Sequence, residues 1–361
     1  MEFLTERAGS LVVVQRAEES PKEDFGAALR RGLTQPAKAV PYHFLYDARG
    51  SELFERITTL PEYYLTRVET AILEARAREI VAELPAGCCL VELGAGSSRK
   101  TRILIEALLA ARGALRFVPI DISAEALQDA AHRLNEAFPS LEVTAFAGEY
   151  GDGLHWVADA VPAPRCYLWL GSSIGNLTHD EARLFLADLR SCMAPDDVLL
   201  LGFDPRKDRA SLEAAYGDAQ GVTQAFVLQP PRPRRRGAWR RLRPRGLRPA
   251  RSTLNPDAGR VEIRLESLRA QQVDLGDGGP PIAFAAGEAR PRRVVGQVLP
   301  RRDRRPAPGL RPPPPPALDR RGRALRPRAG AVGGARAESP HPALGSPMQP
   351  ALLQRPRPAL A

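Results

Sequence analysis

Long hydrophobic runs are absent from this 361-residue sequence. A helix that spans a membrane needs about 18 or more consecutive apolar residues. No such stretch occurs here, so we expect no membrane association. The first residues, M-E-F-L-T-E-R, also lack the basic segment followed by an apolar segment that is typical of a secretory signal. These absences together predict a protein of the cytoplasm.

Cysteine is scarce, and its spacing does not suggest a metal site. The four cysteines are Cys88, Cys89, Cys166 and Cys192, and the intervals between them do not match a zinc ligand set. All four have apolar sequence neighbours, which is typical of core thiols in a reducing compartment. We therefore expect neither disulfides nor a metal cofactor.

Acidic residues are missing from one long segment and sparse in another. The segment Val227–Ser252 holds ten arginines and no acid, and Ala285–Ala361 holds sixteen arginines against four acids. The formal net charge of +10 therefore comes from these two basic segments, and the rest of the chain is acidic. Single-strand nucleic-acid sites interleave aromatic residues with basic ones. Because only Trp239 does so here, we predict no nucleic-acid partner.

A glycine turn between a strand and a helix is the feature around which the chain is organised. The apolar run Cys88–Leu93 is typical of a buried strand, Gly94 and Gly96 follow it, and a helical pattern begins near Ser98. This arrangement holds nucleotide cofactors in doubly wound sheets. An ordinary strand-to-helix turn would read the same way, so this motif leaves both interpretations open.

The next predicted strand favours a nucleoside cofactor. Asp121 ends the run Arg116–Ile122 and lies 27 residues after Gly94, where an acidic side chain can accept hydrogen bonds from both hydroxyls of a ribose. The third glycine of the dinucleotide fingerprint is missing. The string E-L-G-A-G instead resembles the first motif of S-adenosylmethionine-dependent methyltransferases.

The order of the predicted elements indicates an α/β fold with a parallel sheet, because strands alternate with helices. Two later turns would lie at the same edge of that sheet. Gly148–Tyr150 would lie against an adenine, and Gly171–Leu177 follows the fourth strand, where a substrate would bind. The five predicted strands of the sheet are Cys88–Leu93, Arg116–Ile122, Leu141–Phe146, Cys166–Leu170 and Val198–Phe203.

Several long motifs together resemble one enzyme family. They read F-L-Y-D-A-R-G-S-E-L-F, L-P-E-Y-Y-x-T-R-x-E, L-V-E-L-G-A-G-S-S-x-K-T-R, L-G-S-S-I-G-N-L and A-A-Y-x-D-A-x-G-V-T-x-A-F. In these stretches the chain is similar to the histidine Nα-methyltransferases of ergothioneine biosynthesis. The resemblance runs from about Leu33 to Phe226 and resumes from Leu254 to Glu288.

The resemblance implies an activity and a division into domains. The activity would be S-adenosylmethionine-dependent trimethylation of the α-amine of L-histidine, a small-molecule substrate, to hercynine. Separately, we expect the protein to be a monomer. The fold would be a Rossmann-like methyltransferase sheet at 61–206 with a smaller α+β substrate-binding domain. That second domain would comprise 1–60 and 207–288, followed by a low-complexity tail at 289–361.

Residue roles also follow from the resemblance alone. S-adenosylmethionine would be held by Gly94, Lys100, Asp121, Glu149 and Tyr150. The head group of histidine would be held by Tyr63, Asn176 and Tyr216. Tyr46 and Tyr63 would stand close to the reacting amine as the catalytic residues.

The resemblance is lost at the two basic segments, and two explanations compete. One is a pair of basic, proline-rich arms that bind nucleic acid or acidic partners. The other, which we favour, is out-of-frame translation of a GC-rich gene. Permitted codons for Val227–Arg248, read one nucleotide later, encode an amphipathic helix and an acidic-aromatic turn. The same offset on Arg290–Leu299 encodes the Glu-x-Ser with which the family recognises imidazole.

The loss has consequences for both function and structure. Arg293 and Val295 stand where the imidazole-binding Glu and Ser are expected, so we expect activity on histidine to be weak or absent. We expect 227–252 and 289–361 to be disordered, because they cannot bury enough apolar surface, and one edge of the sheet to be unpaired. Two alternatives remain: a related enzyme that methylates another amino acid, and a non-catalytic protein that binds S-adenosylmethionine or nucleic acid.

Overall fold

The fold was described from a computed structural model. Its described residues are 3–8, 11–16, 25–35, 38, 42–205, 207–229, 246–249, 252–256, 259–296 and 349–353. The nine helices within this part of the chain are α1 Phe25–Thr34, α2 Ala48–Thr58, α3 Tyr64–Glu83, α4 Arg99–Arg112, α5 Ala124–Ala137, α6 Tyr150–Ala160, α7 His179–Cys192, α8 Arg209–Ala215 and α9 Val222–Leu228.

The strands fall into a large sheet and two smaller ones. Those of the large sheet are β1 Phe3–Ala8, β2 Leu11–Arg16, β3 Cys89–Leu93, β4 Leu115–Asp121, β5 Leu141–Ala147, β6 Arg165–Trp169, β7 Val198–Phe203 and β14 Gln349–Leu353. The others are β8 Leu247–Pro249, β9 Thr253–Asn255, β10 Arg260–Ser267, β11 Gln271–Val273, β12 Ile282–Phe284 and β13 Ala289–Gly296.

The large sheet has the order β1-β2-β5-β4-β3-β6-β7-β14. Its six inner strands are parallel, and β1 and β14 pair antiparallel at the two edges. Each of the five strands predicted from the sequence is present, within two residues of its predicted ends. The predicted Rossmann-like α/β sheet is therefore confirmed.

Alternation of side chains along β3 explains why helices cover both faces of the sheet. All five residues of β3 are buried, and successive side chains point to opposite faces. Leu90 belongs to a core that contains residues of α3, α4 and α5. Its neighbour Val91 belongs to a second core, which contains residues of α6 and α7. Three layers result, as expected for a parallel sheet buried on both faces.

A further core lies outside the large sheet and is built from distant parts of the chain. It combines Phe25 and Leu29 of α1 with Leu53 of α2, Phe226 of α9 and Val261 of β10. This core joins an early segment of the chain to a later one, and the division of the chain into two domains stays a prediction. One difference is clear, however. The predicted substrate domain includes 1–60, whereas β1 and β2 lie on the large sheet, where the apolar residues of β2 extend it beyond β5.

The expectation of disorder in the basic segments is wrong for three strands. β8 and β13 pair with β10, and β14 pairs with β7, so the edge expected to be unpaired is covered. The physical reason is that a strand ladder is built from backbone groups, which any sequence supplies, and an apolar edge strand is a ready template for pairing. The remainder of these segments, 230–245, 250–251, 297–348 and 354–361, lies outside the described residues.

Two further expectations can be compared with the fold. All four cysteines are buried and unpaired within their cores, which confirms them as core thiols. In the part of the chain that the structure describes, no helix is both long enough and apolar enough to cross a membrane.

Candidate active site

The strand order places a crevice between β3 and β6. The chain runs from β3 through β4 to β5 in one direction and then from β6 to β7 in the other. Ligands of open α/β sheets bind where the order reverses, outside the carboxyl ends of the strands. The glycine turn follows β3 and the loop that begins at Gly171 follows β6, so both predicted turns meet at this crevice.

The glycine turn has a backbone that only glycine adopts readily. Gly94 and Gly96 have φ values of +72° and +50°, and the Gly94 amide donates to the carbonyl oxygen of Ile120 at 2.8 Å. A Cβ atom on Gly94 would lie 2.4 Å from the Tyr150 hydroxyl oxygen. The tyrosine hydroxyl therefore occupies the space that the missing side chain leaves, and the structure brings Gly94 and Tyr150 together as predicted.

Asp121 is fixed beside this turn by backbone donors. Its Oδ2 accepts from the Gly96 amide at 2.9 Å and its Oδ1 from the Ser123 amide at 3.0 Å. Burial raises the pKa of Asp121, and these amides oppose the rise. Each carboxylate oxygen retains a lone pair, so the group can still accept from two adjacent hydroxyls.

Glu149 and Tyr150 open helix α6 on the other side of Asp121. Glu149 is the N-cap residue and is exposed, while the Tyr150 ring packs against Trp169 and Phe185 at centroid distances of 6.3 and 5.8 Å. The Gly148 amide donates to the backbone carbonyl of Asp121 at 2.9 Å. The predicted adenine-binding turn and the predicted ribose-binding residue are thus adjacent.

Lys100 has a buried partner that sequence reasoning missed. Its ammonium group pairs with the carboxylate of Glu69 on α3, and both carboxylate oxygens of Glu69 lie 2.9 Å from the Gly171 amide. A Cβ atom on Gly202 would lie 2.1 Å from Glu69 Oε1. The available indication was the terminal acid of the motif L-P-E-Y-Y-x-T-R-x-E.

Two more buried acids lie close to the crevice. Glu92 precedes the glycine turn and accepts from the hydroxyls of Thr101 and Ser98, and burial raises its pKa to about 7. Asp204 follows β7, accepts from the Tyr64 hydroxyl at 2.5 Å and pairs with Lys207. Both acids have partners within the protein. Glu92 connects the end of β3 to the start of α4, and Asp204 connects the end of β7 to the start of α3.

Three of the predicted residues meet in a group of rings that we call the aromatic cluster: Tyr46, Phe54, Tyr63, Tyr216 and Phe226. Tyr46 lies 5.7 Å from Phe54 and 5.5 Å from Phe226, measured between ring centroids. Tyr63 lies 6.3 Å from Phe54 and 5.8 Å from Tyr216. Tyr46, Tyr63 and Tyr216 therefore share one site, although 170 residues separate the first from the last in the chain.

The aromatic cluster is tied to the glycine turn by helix α2. That helix carries Phe54, and its neighbour Glu55 accepts a hydrogen bond from the Ser97 hydroxyl at 2.8 Å. Asn176 ends a short 3-10 turn, Ser173–Asn176, beyond β6. Strand β13 packs against this turn, so the backbone positions of Arg293 and Val295 lie on the strand that faces the Asn176 segment.

The residues present fit a nucleoside with a charged amino-acid tail. Asp121 offers two hydroxyl acceptors beside a turn whose backbone can approach a ligand closely. Tyr150 presents its ring and hydroxyl to the same turn, and Lys100 supplies a cation at the end of β6. The aromatic cluster adds phenol groups that can orient an amine without giving it a proton, because the ordinary pKa of a phenol is about 10.

Comparisons with known proteins identify the family of this chain. Residues 25–290 match the model of a family described as histidine-specific methyltransferase, SAM-dependent. Histidine N-alpha-methyltransferase of Mycolicibacterium smegmatis is 37% identical over 291 residues, which cover 78% of this chain and 89% of that protein. The enzyme of the same name from Mycobacterium tuberculosis is 43% identical over 209 residues, which cover 56% of this chain and 64% of that protein.

A solved structure is also similar, though distantly. The magnesium protoporphyrin IX methyltransferase of Synechocystis PCC 6803 with bound SAH has a TM-score of 0.33 at 14% identity, and the match covers 69% of this chain and 95% of that one. The fold assignment rests on the strand order and not on this likeness.

Proposed function

The chain belongs to the family of SAM-dependent, histidine-specific methyltransferases, and from this premise we propose that it trimethylates the α-amine of L-histidine to hercynine in ergothioneine biosynthesis. The observation that supports this most strongly is a contact between two groups of residues. Asp121, Gly94 and Tyr150 surround the cofactor turn, and the aromatic cluster is joined to that turn through Ser97 and Glu55.

The cofactor would be held from three sides. Asp121 would accept from the ribose hydroxyls, Glu149 and Tyr150 would border the adenine, and Gly94 would let the backbone approach the ligand. Lys100 would face the carboxylate of its amino-acid tail. S-adenosylmethionine supplies an activated methyl group on a sulfonium, and the protein has to hold that group in line with a nitrogen lone pair.

The substrate would be held by neutral groups. Tyr63, Asn176 and Tyr216 would bind the amino-acid head group, and Tyr46 would stand near the amine. A protonated amine has no lone pair and cannot accept a methyl group, so phenol and amide groups suit this role. They orient the nitrogen by hydrogen bonds, and the geometry they impose lowers the entropic part of the barrier.

The aromatic rings around the amine would also help the reaction by excluding water from it. Phe54 and Phe226 present only apolar surface beside the tyrosines of the cluster. Removal of water favours the uncharged amine over its protonated form, since a charge is costly in an apolar site. Each transfer to a primary or secondary amine must be followed by loss of a proton before the next transfer.

The decisive experiment is a methylation assay across the free amino acids with S-adenosylmethionine as donor. Mass spectrometry should detect the trimethylated α-amine of histidine, formed slowly because Arg293 and Val295 stand where the imidazole-binding groups are expected, and the Asp121→Ala variant should form still less of it. Product from another amino acid and none from histidine would contradict the proposed substrate. A folded chain that binds S-adenosylmethionine but methylates no amino acid would contradict catalysis.

A second candidate deserves the same assay because one observation favours it. Strand β13 carries Arg293 and Val295 where an acidic side chain and a hydroxyl are expected to hold the imidazole. Without those two groups the histidine ring loses its hydrogen bonds, and an amino acid with another side chain can compete. The aromatic cluster would still bind the head group that all such substrates share.

We further propose that the reaction is carried out by a monomer in the cytoplasm. In support, the residues proposed for the cofactor and for the substrate are linked within one chain by the hydrogen bond from Ser97 to Glu55. Light scattering of the purified protein should give the mass of one chain, 39.3 kDa, and a stable dimer would contradict this part of the proposal. Binding to DNA with a steep salt dependence would instead support the nucleic-acid alternative.

A further inference from the structure

Three side chains of types that can bind a metal ion lie together between helices α6 and α7. They are His155, Asp188 and Cys192, whose ligand atoms all lie within 4.8 Å of one another. His155 Nδ1 is 3.5 Å from Cys192 Sγ, and His155 Nε2 is 3.6 Å from Asp188 Oδ1. We propose that this cluster binds a divalent cation of the zinc class, with water as the remaining ligand.

The fold supplies the geometry of the three ligands. Asp188 and Cys192 are four residues apart on α7, so their side chains lie on the same face of that helix. Helix α6 packs against α7 and brings His155 to that face. Zinc holds sulfur at about 2.3 Å and nitrogen or oxygen at about 2.0–2.2 Å, which puts neighbouring ligands of a tetrahedron about 3.3–3.6 Å apart. The distance of 3.5 Å between His155 Nδ1 and Cys192 Sγ agrees with these values. The Asp188 carboxylate lies beside the other ring nitrogen, Nε2, so its partly exposed side chain would have to rotate toward a metal bound at Nδ1.

The types of ligand favour zinc over the harder cations. Imidazole and thiolate are preferred by zinc and its neighbours in the transition series, whereas magnesium and calcium prefer oxygen. Asp188 adds one carboxylate oxygen, so the set is one nitrogen, one sulfur and one oxygen. Cys192 is also the last residue of α7, and the carboxyl end of a helix favours a positive charge.

Exposure of the three side chains suits a site that is filled from solvent. The side chains of His155 and Asp188 are 44% and 40% exposed, while Cys192 is 7% exposed. A cation can therefore enter past the imidazole and carboxylate and reach the sulfur behind them. The exposed side also leaves room for water at the fourth position.

The alternative interpretation of these residues as a nucleophilic triad is less consistent with the structure. Cys192 is only 7% exposed, whereas the side chains of His155 and Asp188 are 44% and 40% exposed. An organic substrate would have to reach the Cys192 sulfur past both side chains, whereas a single ion is small enough to do so.

Metal binding would link helix α6, which borders the cofactor turn, to helix α7. Helix α6 begins at Tyr150, whose ring lies beside Gly94, and His155 is five residues further along it. A metal bridge from His155 to α7 would therefore stabilise the helix that borders the predicted adenine site. The metal would have no part in methyl transfer, since the cluster lies on α6 and α7 and not among the residues proposed for the reaction.

The test is to titrate the metal-free full-length chain with Zn²⁺ alone by calorimetry and with Co²⁺ alone by absorption spectroscopy. We expect one zinc ion per chain at this site, release of a proton, and a thiolate-to-cobalt charge-transfer band in the near ultraviolet. His155→Gln and Asp188→Asn should each weaken binding at least about tenfold. Cys192→Ser should abolish the charge-transfer band.

A matched control is available on helix α5. His132 and Glu136 form a pair with the same 3.6 Å separation between nitrogen and oxygen, but with no sulfur beside it. His132→Gln should leave zinc affinity and the cobalt spectrum unchanged. Because His155 and Asp188 are partly exposed, their variants should fold even if Cys192→Ser does not. Zinc affinity unchanged in His155→Gln and Asp188→Asn, or a cobalt spectrum without the thiolate band, would overturn the proposal.

Discussion

The cofactor end of the crevice and the aromatic cluster are assembled in opposite ways. At the cofactor end, Gly94, Lys100 and Asp121 come from one continuous stretch of strand, turn and helix, and their contacts are hydrogen bonds and an ion pair. In the aromatic cluster, Tyr46 and Tyr216 come from segments far apart in the chain, and their rings contact the cluster edge-to-face, while Phe54 and Phe226 are tilted against each other.

Under the proposed function, this difference would allow one protein to meet two binding tasks. A charged nucleoside needs fixed donors and acceptors, which the ends of parallel strands provide within a few residues. An amine that has to remain neutral needs weakly polar surroundings, and apolar rings with phenol groups can be recruited from anywhere in the chain. Substitutions at the cofactor end should therefore have large effects on stability and cofactor binding. Substitutions in the aromatic cluster should have small, substrate-specific effects.

The largest effect is expected from Glu69→Ala, which removes the buried partner of Lys100 and the acceptor of the Gly171 amide. Loss of one member of a buried ion pair should lower the free energy of unfolding by about 3 kcal/mol. Denaturant unfolding measures this. Glu79→Ala on the same helix is the control, because the Glu79 side chain is 58% exposed. Equal effects of the two variants would show that the cofactor end has no special rigidity.

Asp121→Ala should have the next largest effect. It removes the proposed acceptor for the ribose hydroxyls, so the affinity for S-adenosylmethionine should fall more than about tenfold. Calorimetric titration gives the affinity, and Asp129→Ala, an exposed acid on α5, provides the control. Unchanged affinity would mean that the ribose contact has been assigned to the wrong residue.

The pH dependence of stability should reveal Glu92 at the cofactor end. The folded protein holds a proton on Glu92 up to about pH 7, whereas the ordinary pKa of the group is 4.5. Stability from this proton is present at low pH and is lost as the pH rises through about 7. Between about pH 6 and about pH 8 the unmodified protein should therefore lose about 1 kcal/mol that Glu92→Gln retains.

Glu106→Gln is the control for that comparison, since the Glu106 side chain is 51% exposed. Chemical unfolding at the two pH values measures the difference for all three proteins. Parallel losses in the unmodified protein and in Glu92→Gln would show that Glu92 is ionised throughout this range.

The smallest effect is expected in the aromatic cluster. Tyr216→Phe should raise the KM for histidine roughly threefold, the size of one ordinary hydrogen bond, with little change in kcat. Asn176→Ala should act in the same direction. Tyr167→Phe is the control, because that buried hydroxyl on β6 lies among core residues. A fall in kcat with constant KM would place Tyr216 in the transfer step instead.

The cofactor end could be predicted from sequence because its information is local. The apolar run before Gly94 specifies a strand, and the two glycines specify the turn that follows it. The acid of the next strand supplies a hydrogen-bond acceptor. Glu69 could not be placed in this way. Its role depends on α3 crossing the ends of β6 and β7, which no spacing in the sequence reveals.

Prediction was least successful where composition was the main guide. The arginine-rich stretch that includes β13 has few apolar residues, and we expected it to be disordered. Its register with β10, in which Val295 lies opposite Val261, depends on backbone pairing with a partner that composition does not describe. Whether this stretch arises from a shifted reading frame remains a prediction that the nucleotide sequence across codons 226–253 and 288–361 would test.

Gly202 of strand β7 is explained by its contact with Glu69. Within the apolar strand β7 a glycine would ordinarily be considered a weak point, since it adds no packing and loses much entropy on folding. Here the missing side chain makes a notch in the sheet that is the size of one carboxylate, and Glu69 fills it. A single methyl group, as in Gly202→Ala, would displace that carboxylate. The smallest residue of β7 therefore determines where the charge of Glu69 can lie.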